Sequence, residues 1–189
     1  MRGSDSLTKE ECDRLIGAVG DSGLAIRDRM LLEVFAWTGL RVSELVALRI
    51  DQVIDGGRGL PTLHLDRTST KRKKGGKLPI AEKLQGSLES YVTWLRSWSG
   101  AVWLFPGYEG KHLCSRAVQL RIKAIATAAG IRKKITPHSL RKFFVQRLID
   151  QKLDVRSVME LSRHSSLASL HHYLVVDEEA ARAAVEAIR

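Results

Sequence analysis

Four short segments carry residue types able to grip or attack a phosphate. In Thr38-Gly39-Leu40-Arg41-Val42-Ser43-Glu44-Leu45, Arg41 follows a glycine at a corner between two apolar helical runs. A guanidinium there can reach into a cleft and hold two phosphate oxygens at once. Glu44, one helical turn on, is placed to fix the Arg41 side chain or the loop. The plain alternative is a solvated arginine with a surface partner. The second segment runs from Thr70 to Lys77, where five of eight residues are basic: Lys71, Arg72, Lys73, Lys74 and Lys77. A glycine-containing cationic hairpin tip of this kind can enter a nucleic-acid groove or follow its backbone. Lysines blunting an edge hairpin against aggregation are the competing account, and they explain scattered lysines better than so dense a run. In the third segment, Thr136-Pro137-His138-Ser139-Leu140-Arg141, His138 and Arg141 stand three apart at a helix start, where backbone N–H groups also point outward. The fourth is Leu161-Ser162-Arg163-His164-Ser165-Ser166, followed by His171-His172-Tyr173. Three histidines raise the question of zinc, but His171 and His172 are adjacent and diverge on a helix, so no metal is expected. Read alone, Tyr173 before Leu174-Val175-Val176 has the surroundings of a core tyrosine.

The charge balance supports a polyanionic partner. The 189 residues hold 31 Lys and Arg against 21 Asp and Glu, a formal net charge of +10. A membrane surface fits less well, because no long basic amphipathic helix stands out and no apolar run reaches the ~18 residues of a membrane span. The two cysteines, Cys12 and Cys114, lack metal-ligand spacing and read as thiols of a reducing cytoplasm. Met1-Arg2-Gly3-Ser4 reads as a vector remnant (residues 1–4), which leaves residues 5–189 as a single domain.

The elements that must position these groups are mainly helical. Thr8 and Glu11 have capping-box spacing ahead of Leu15, Ile16 and Val19, which predicts a helix over 8–19. An apolar stripe from Ala25 to Phe35 predicts a second helix ending at Thr38-Gly39, and 42–48 a short third. Asp55 to Gly59 reads as a turn, 62–65 and 78–80 as paired strands around the basic tip, and helices are expected over 82–98, 115–129, 138–151, 154–161, 166–174 and 177–188. The fold class is therefore mainly α with one small antiparallel β-sheet.

Taken together and in order, the four segments resemble the tyrosine recombinase (phage-type integrase) family. That family carries Thr-Gly-Leu-Arg-x-Ser-Glu-Leu, a hairpin lysine eight residues before a proline, Pro-His-x-Leu-Arg, and Leu-Gly-His-Ser-Ser with a tyrosine nine residues after the histidine. Arg41, Glu44, Lys71 (eight before Pro79), His138, Arg141, His164 and Tyr173 (nine after His164) occupy those places. The match spans about residues 8–176. The resemblance implies the family's catalytic-domain fold and its chemistry. Tyr173 attacks phosphorus to form a 3′-phosphotyrosine bond, and Arg41 and Arg141 hold the non-bridging oxygens. His164 donates a further hydrogen bond, Lys71 protonates the leaving 5′ oxygen, and His138 assists proton transfer at Tyr173. The covalent bond conserves the phosphodiester energy, so neither ATP nor any other cofactor is expected. Double-stranded DNA is the implied partner, bound in the cytoplasm by a protein of bacterial, phage or mobile-element origin, with self-association into a tetrameric synapse.

Arg163 departs from the family's glycine, and is read either as a disturbance of that turn or as an added phosphate contact. The family's N-terminal DNA-clamping domain is not matched and is expected to be absent. The apolar stripe of Ala180, Ala181, Ala184, Val185 and Ile188 leaves a terminal helix free to dock on a neighbouring protomer or on its own domain. A type IB topoisomerase and a catalytically inactive DNA-binding regulator are the alternatives. Of the other tyrosines, Tyr91 sits in the apolar run Tyr91-Val92-x-Trp94-Leu95 and is expected in the core, and Tyr108 follows Pro106-Gly107 in a loop.

Overall fold

The computed structural model describes residues 5–21, 23–66, 75–164, 166–170, 182, 185 and 186. Thus Lys71, Arg72, Lys73, Lys74, His171, His172 and Tyr173 lie outside the described residues. The chain divides into two compact units, Met1–Phe144 and Val145–Arg189.

In the first unit, α1 (Lys9–Gly17) opens with the capping box its sequence predicts. Thr8 Oγ1 accepts from the Glu11 N–H and the Glu11 carboxylate accepts from the Thr8 N–H. Helix α2 (Ala25–Thr38) buries Met30, Leu31, Leu32, Val34 and Phe35, so it is apolar around most of its circumference and runs through the core. It packs on α1 and on α4 (Glu82–Arg96). It stops where Gly39 turns left-handed at φ +57°. The short α3 (Val42–Val46) follows and packs on α5 (Ser115–Ala128). A buried carboxylate ties α5 to α2: Asp28, 1% exposed, is bracketed by the Arg27 and Arg121 guanidiniums.

The β structure is richer than expected. The Asp55–Gly59 turn joins β1 (Ile54–Asp55) to β2 (Arg58–Gly59), giving a second antiparallel pair. Strands β3 (Thr62–Leu65) and β4 (Gly76–Pro79) pair in antiparallel register, from Thr62 opposite Pro79 to Leu65 opposite Gly76. Leu63, Leu65 and Leu78 point into the core, while His64 and Lys77 face solvent. A 3₁₀ turn at Ile50–Gln52 links α3 to this region.

Helix α6 (Pro137–Asp150) starts with proline at its first position, where the missing N–H costs nothing. Thr136 and Ser139 cap it reciprocally through side-chain oxygens and backbone N–H groups. In the second unit, α7 (Val155–Ser162) is capped by Asp154, whose carboxylate accepts from the Ser157 N–H at 3.0 Å. Of the helix expected over 166–174, the described part holds one 3₁₀ turn, Leu167–Ser169, with the rest outside the described residues. From 177–188, Arg182, Val185 and Glu186 are described; they are helical and exposed. No described helix is long and apolar enough to cross a membrane.

Candidate active site

The first unit brings two arginines to one loop. Arg41 precedes α3, and Glu44 engages it twice: one carboxylate oxygen accepts from the Arg41 N–H at 2.9 Å, the other from Nη1 at 3.0 Å. The Glu44 side chain is fully buried and that of Arg41 is 35% exposed. A buried carboxylate is stable only when satisfied, so the pair fixes both the backbone turn and the guanidinium. Arg141, 5% exposed, comes from α6 and donates through Nη1 to the Gly39 carbonyl at 2.5 Å. The tie is made two residues before Arg41. Gly39 permits it by its left-handed φ and by leaving room for Phe144, one turn beyond Arg141 on α6. The loop therefore holds one guanidinium through a carboxylate and the other through a backbone carbonyl. Guanidiniums held in this way suit the non-bridging oxygens of a phosphate.

His138 stands at the second position of α6 and is exposed, unlike the buried Arg141 three residues on. Partial loss of hydration around its ring, then the positive charges of Lys142 and Arg141, holds its pKa below the usual histidine value. At neutral pH the ring is thus uncharged and able to accept a proton.

In the second unit, Arg163 ends α7 at φ +56°, in the left-handed conformation usually taken by glycine. The substitution leaves the turn intact. Arg163 N–H donates to Glu160 O at 3.1 Å and His164 N–H to Met159 O at 3.0 Å, the paired bonds of a Schellman cap. His164 is thereby fixed by its backbone, and its ring by Ser162, whose buried Oγ lies 2.7 Å from Nδ1. The Ser162 hydroxyl donates to Val158 O at 2.5 Å, which leaves Oγ to accept from Nδ1–H and directs Nε2 away. Strain at position 163 gives a specific expectation. Arg163→Ala and Arg163→Gly lose the same side chain, but only glycine relieves the φ. Urea unfolding is expected to show the Gly variant more stable than the Ala variant by about 1 kcal/mol.

Several cations escaped the sequence reading. A groove of about 700 Å³ between α5 and the segment leading to α6 is lined by Arg116, Lys123, Arg132, Lys133 and Lys134, and ends at Thr136 beside the α6 N-terminus. The run Arg132-Lys133-Lys134, one residue before Thr136-Pro137, is a visible signal. Arg116 and Lys123, seven apart on α5, join it only through packing. Lys77 is exposed on β4. Among the described residues, no three His, Cys, Asp or Glu side chains converge as a metal site.

Comparison with known proteins fits this geometry. The model of the phage integrase family matches residues 5–180. The chain is 36% identical over 173 residues to the tyrosine recombinase XerC of Xanthomonas campestris pv. campestris (strain B100), covering 90% of this chain and 51% of that protein. It is 38% identical over 167 residues to XerC of Pseudomonas fluorescens (strain Pf-5), covering 86% and 53%. The chain belongs to the phage integrase family. It spans about half the length of these relatives. The crystal structure of XerA recombinase superposes on the whole chain with a TM-score of 0.76 at 25% identity, over 66% of that protein. The fold is also that of the XerH site-specific recombinase bound to its difH substrate, with a TM-score of 0.81 at 21% identity, covering 100% of this chain and 56% of that one.

Proposed function

We propose that this chain is the catalytic part of a site-specific DNA recombinase that cleaves and rejoins strands through a 3′-phosphotyrosine intermediate on Tyr173. The observation that carries the reading is the pair of arginines, Arg41 and Arg141, tied to one loop by Glu44 and by the Gly39 carbonyl. Two fixed guanidiniums in a mostly buried setting stabilise charge on a phosphorane-like transition state, and each such donor contributes roughly 10²–10³ in rate. His164, held through Nδ1, offers Nε2 as a further donor when protonated. His138 takes the Tyr173 proton. Lys71, on the hairpin beyond β3, protonates the 5′ oxygen. Tyrosine's pKa of about 10 makes it a weak nucleophile at neutral pH without this help. The transfer conserves bond energy, so the reaction runs without ATP, and the arginines supply the charge that a metal would otherwise provide. Arg72, Lys73, Lys74, Lys77 and Arg163, with the groove beside α5, hold the DNA backbone. The enzyme works in the cytoplasm and assembles on double-stranded DNA as a tetramer.

The test is covalent trapping. A nicked-duplex library randomised across the recognition arms loses the short fragment on cleavage and leaves a detergent-stable adduct, which peptide mass mapping assigns to a residue. Absence of any adduct across the library overturns the reading. Non-covalent binding is a separate expectation. With a net charge of +10, log K should fall against log salt by about 0.9 per phosphate neutralised. Four or more contacts give a slope steeper than about −3 by fluorescence anisotropy. A flat titration contradicts a backbone-dominated interface.

A further inference from the structure

The root of the basic hairpin is held by a side chain that no motif points to. Gln52, 8% exposed, ends the 3₁₀ turn after α3. Its Oε1 accepts from the Arg49 N–H at 2.9 Å. Its Nε2 donates to the His64 carbonyl at 2.8 Å and to Asp66 Oδ2 at 3.3 Å. Arg49 supports the same end, with Nη1 3.8 Å from Asp66 Oδ2 and its other nitrogens on Asp51. The place of these bonds is what matters. Leu65 opposite Gly76 is the last pair of the β3–β4 ladder, and Asp66 is the first residue beyond it. The far end of the ladder is closed separately, by Ile80 N–H donating to Pro61 O and Gln85 Nε2 to Ile80 O. A two-stranded ladder is marginal by itself. At the end that leads to the basic tip, Gln52 takes the part of a third strand, satisfying a β3 carbonyl and gripping Asp66.

We propose that Gln52, assisted by Arg49 and acting on His64 and Asp66, is a positioning clamp that sets where the hairpin delivers Lys71, five residues beyond Asp66. The proposal rests on the reading of Lys71 as the general acid. Gln52 belongs to the stretch that starts at Arg41 and runs through α3, so the clamp ties the root of the hairpin to the chain that follows the arginine loop. Gln52 touches no substrate; it acts through Lys71. Misplacing a catalytic group by about 1 Å can cost on the order of 10²-fold.

A substrate that needs no acid separates positioning from folding. Single-turnover cleavage of the duplex selected by trapping is measured with oxygen and with sulfur at the 5′ bridging position, since a thiolate leaves without protonation. Gln52→Ala is expected to slow cleavage of the oxygen substrate by about 10- to 100-fold and to cleave the sulfur substrate within about 3-fold of the parent protein. Asp66→Ala, at an exposed position, is expected to show the same pattern with a smaller loss, and it carries the test if Gln52→Ala does not fold. Lys71→Ala is the reference and should be rescued by sulfur. Equal losses on both substrates, or no loss on the oxygen substrate, overturn the clamp. If Lys71→Ala itself is not rescued, the acid assignment and the clamp fall together. If Lys71→Ala is rescued and the clamp variants are not, the clamp alone is wrong.

Discussion

Tyr173→Phe is expected to abolish the covalent protein–DNA adduct while leaving DNA affinity and folding close to the parent protein. The substitution removes one hydroxyl and almost no volume, so the unfolding free energy should change by no more than about 1 kcal/mol. The other two tyrosines differ sharply from a nucleophile's needs. Tyr91 is 2% exposed, and its hydroxyl donates to Leu104 O at 2.8 Å. Burial pushes its phenol well above the ordinary value, so the phenolate is disfavoured where it stands. Tyr108 is 85% exposed on a loop whose nearby cation, Lys111, faces Glu109 at 3.8 Å. Among the described residues, no hydrogen bond holds its hydroxyl. The assignment of Tyr173 rests on its spacing of nine residues from His164 and on the family, because position 173 lies outside the described residues. Mass mapping of the trapped adduct decides it. Nucleotide on the peptide containing Tyr173 in the parent, with trapping lost in the Phe variant, is the expected outcome. Undiminished trapping by Tyr173→Phe, or an adduct on Tyr91, Tyr108 or a serine, removes the central assignment.

The sequence made the local signals readable and left the tertiary ones hidden. The α1 boundary follows from Thr8 and Glu11, whose side chains cap each other within four residues of chain. The end of α2 follows from Gly39, because a left-handed residue after an apolar helical run is a local matter. Glu44 was placed near Arg41 by helical spacing alone, although its complete burial was not foreseeable. Arg141 shows the limit. It stands three residues after His138 at the helix start, yet packing of α6 buries Arg141 and leaves His138 exposed. The partner that explains this burial, the Gly39 carbonyl, lies 102 residues away in sequence. Gln52 is hidden for the same reason, since its bonds reach 12 and 14 residues ahead to the end of a strand. The two-residue ladder of β1 and β2 is too short to leave an alternating pattern, so it read as a turn. Arg163 could be flagged as a departure from glycine, but only the observed φ of +56° shows that the turn survives it.

Gly39→Ala is expected to be strongly destabilising and to reach the chemistry as well. An added Cβ would lie 2.3 Å from Phe144 Cδ1, 2.9 Å from Cγ and 3.1 Å from Cβ. Phe144 is 9% exposed and its own Cβ is anchored on α6, so the ring cannot simply swing away. The φ of +57° adds a backbone cost of about 1 kcal/mol for any residue bearing a Cβ. Overpacking of this kind costs typically 1–3 kcal/mol more, which brings the expected destabilisation to about 2–4 kcal/mol. The effect should also reach the chemistry, because the Gly39 carbonyl holds Arg141 and Arg41 lies two residues on. Displacing two guanidiniums by even ~1 Å is expected to lower cleavage about 10²-fold under conditions where the variant is fully folded. A double-mutant cycle with Phe144→Ala separates the two costs. Shortening Phe144 removes the Cδ1 and Cγ contacts, so Gly39→Ala in that background should cost close to the backbone term alone, about 1 kcal/mol. Denaturant unfolding of the four proteins measures the coupling. A coupling energy near zero would mean that Phe144 is not what the glycine makes room for, and full activity in folded Gly39→Ala would detach the loop from the placement of the two arginines.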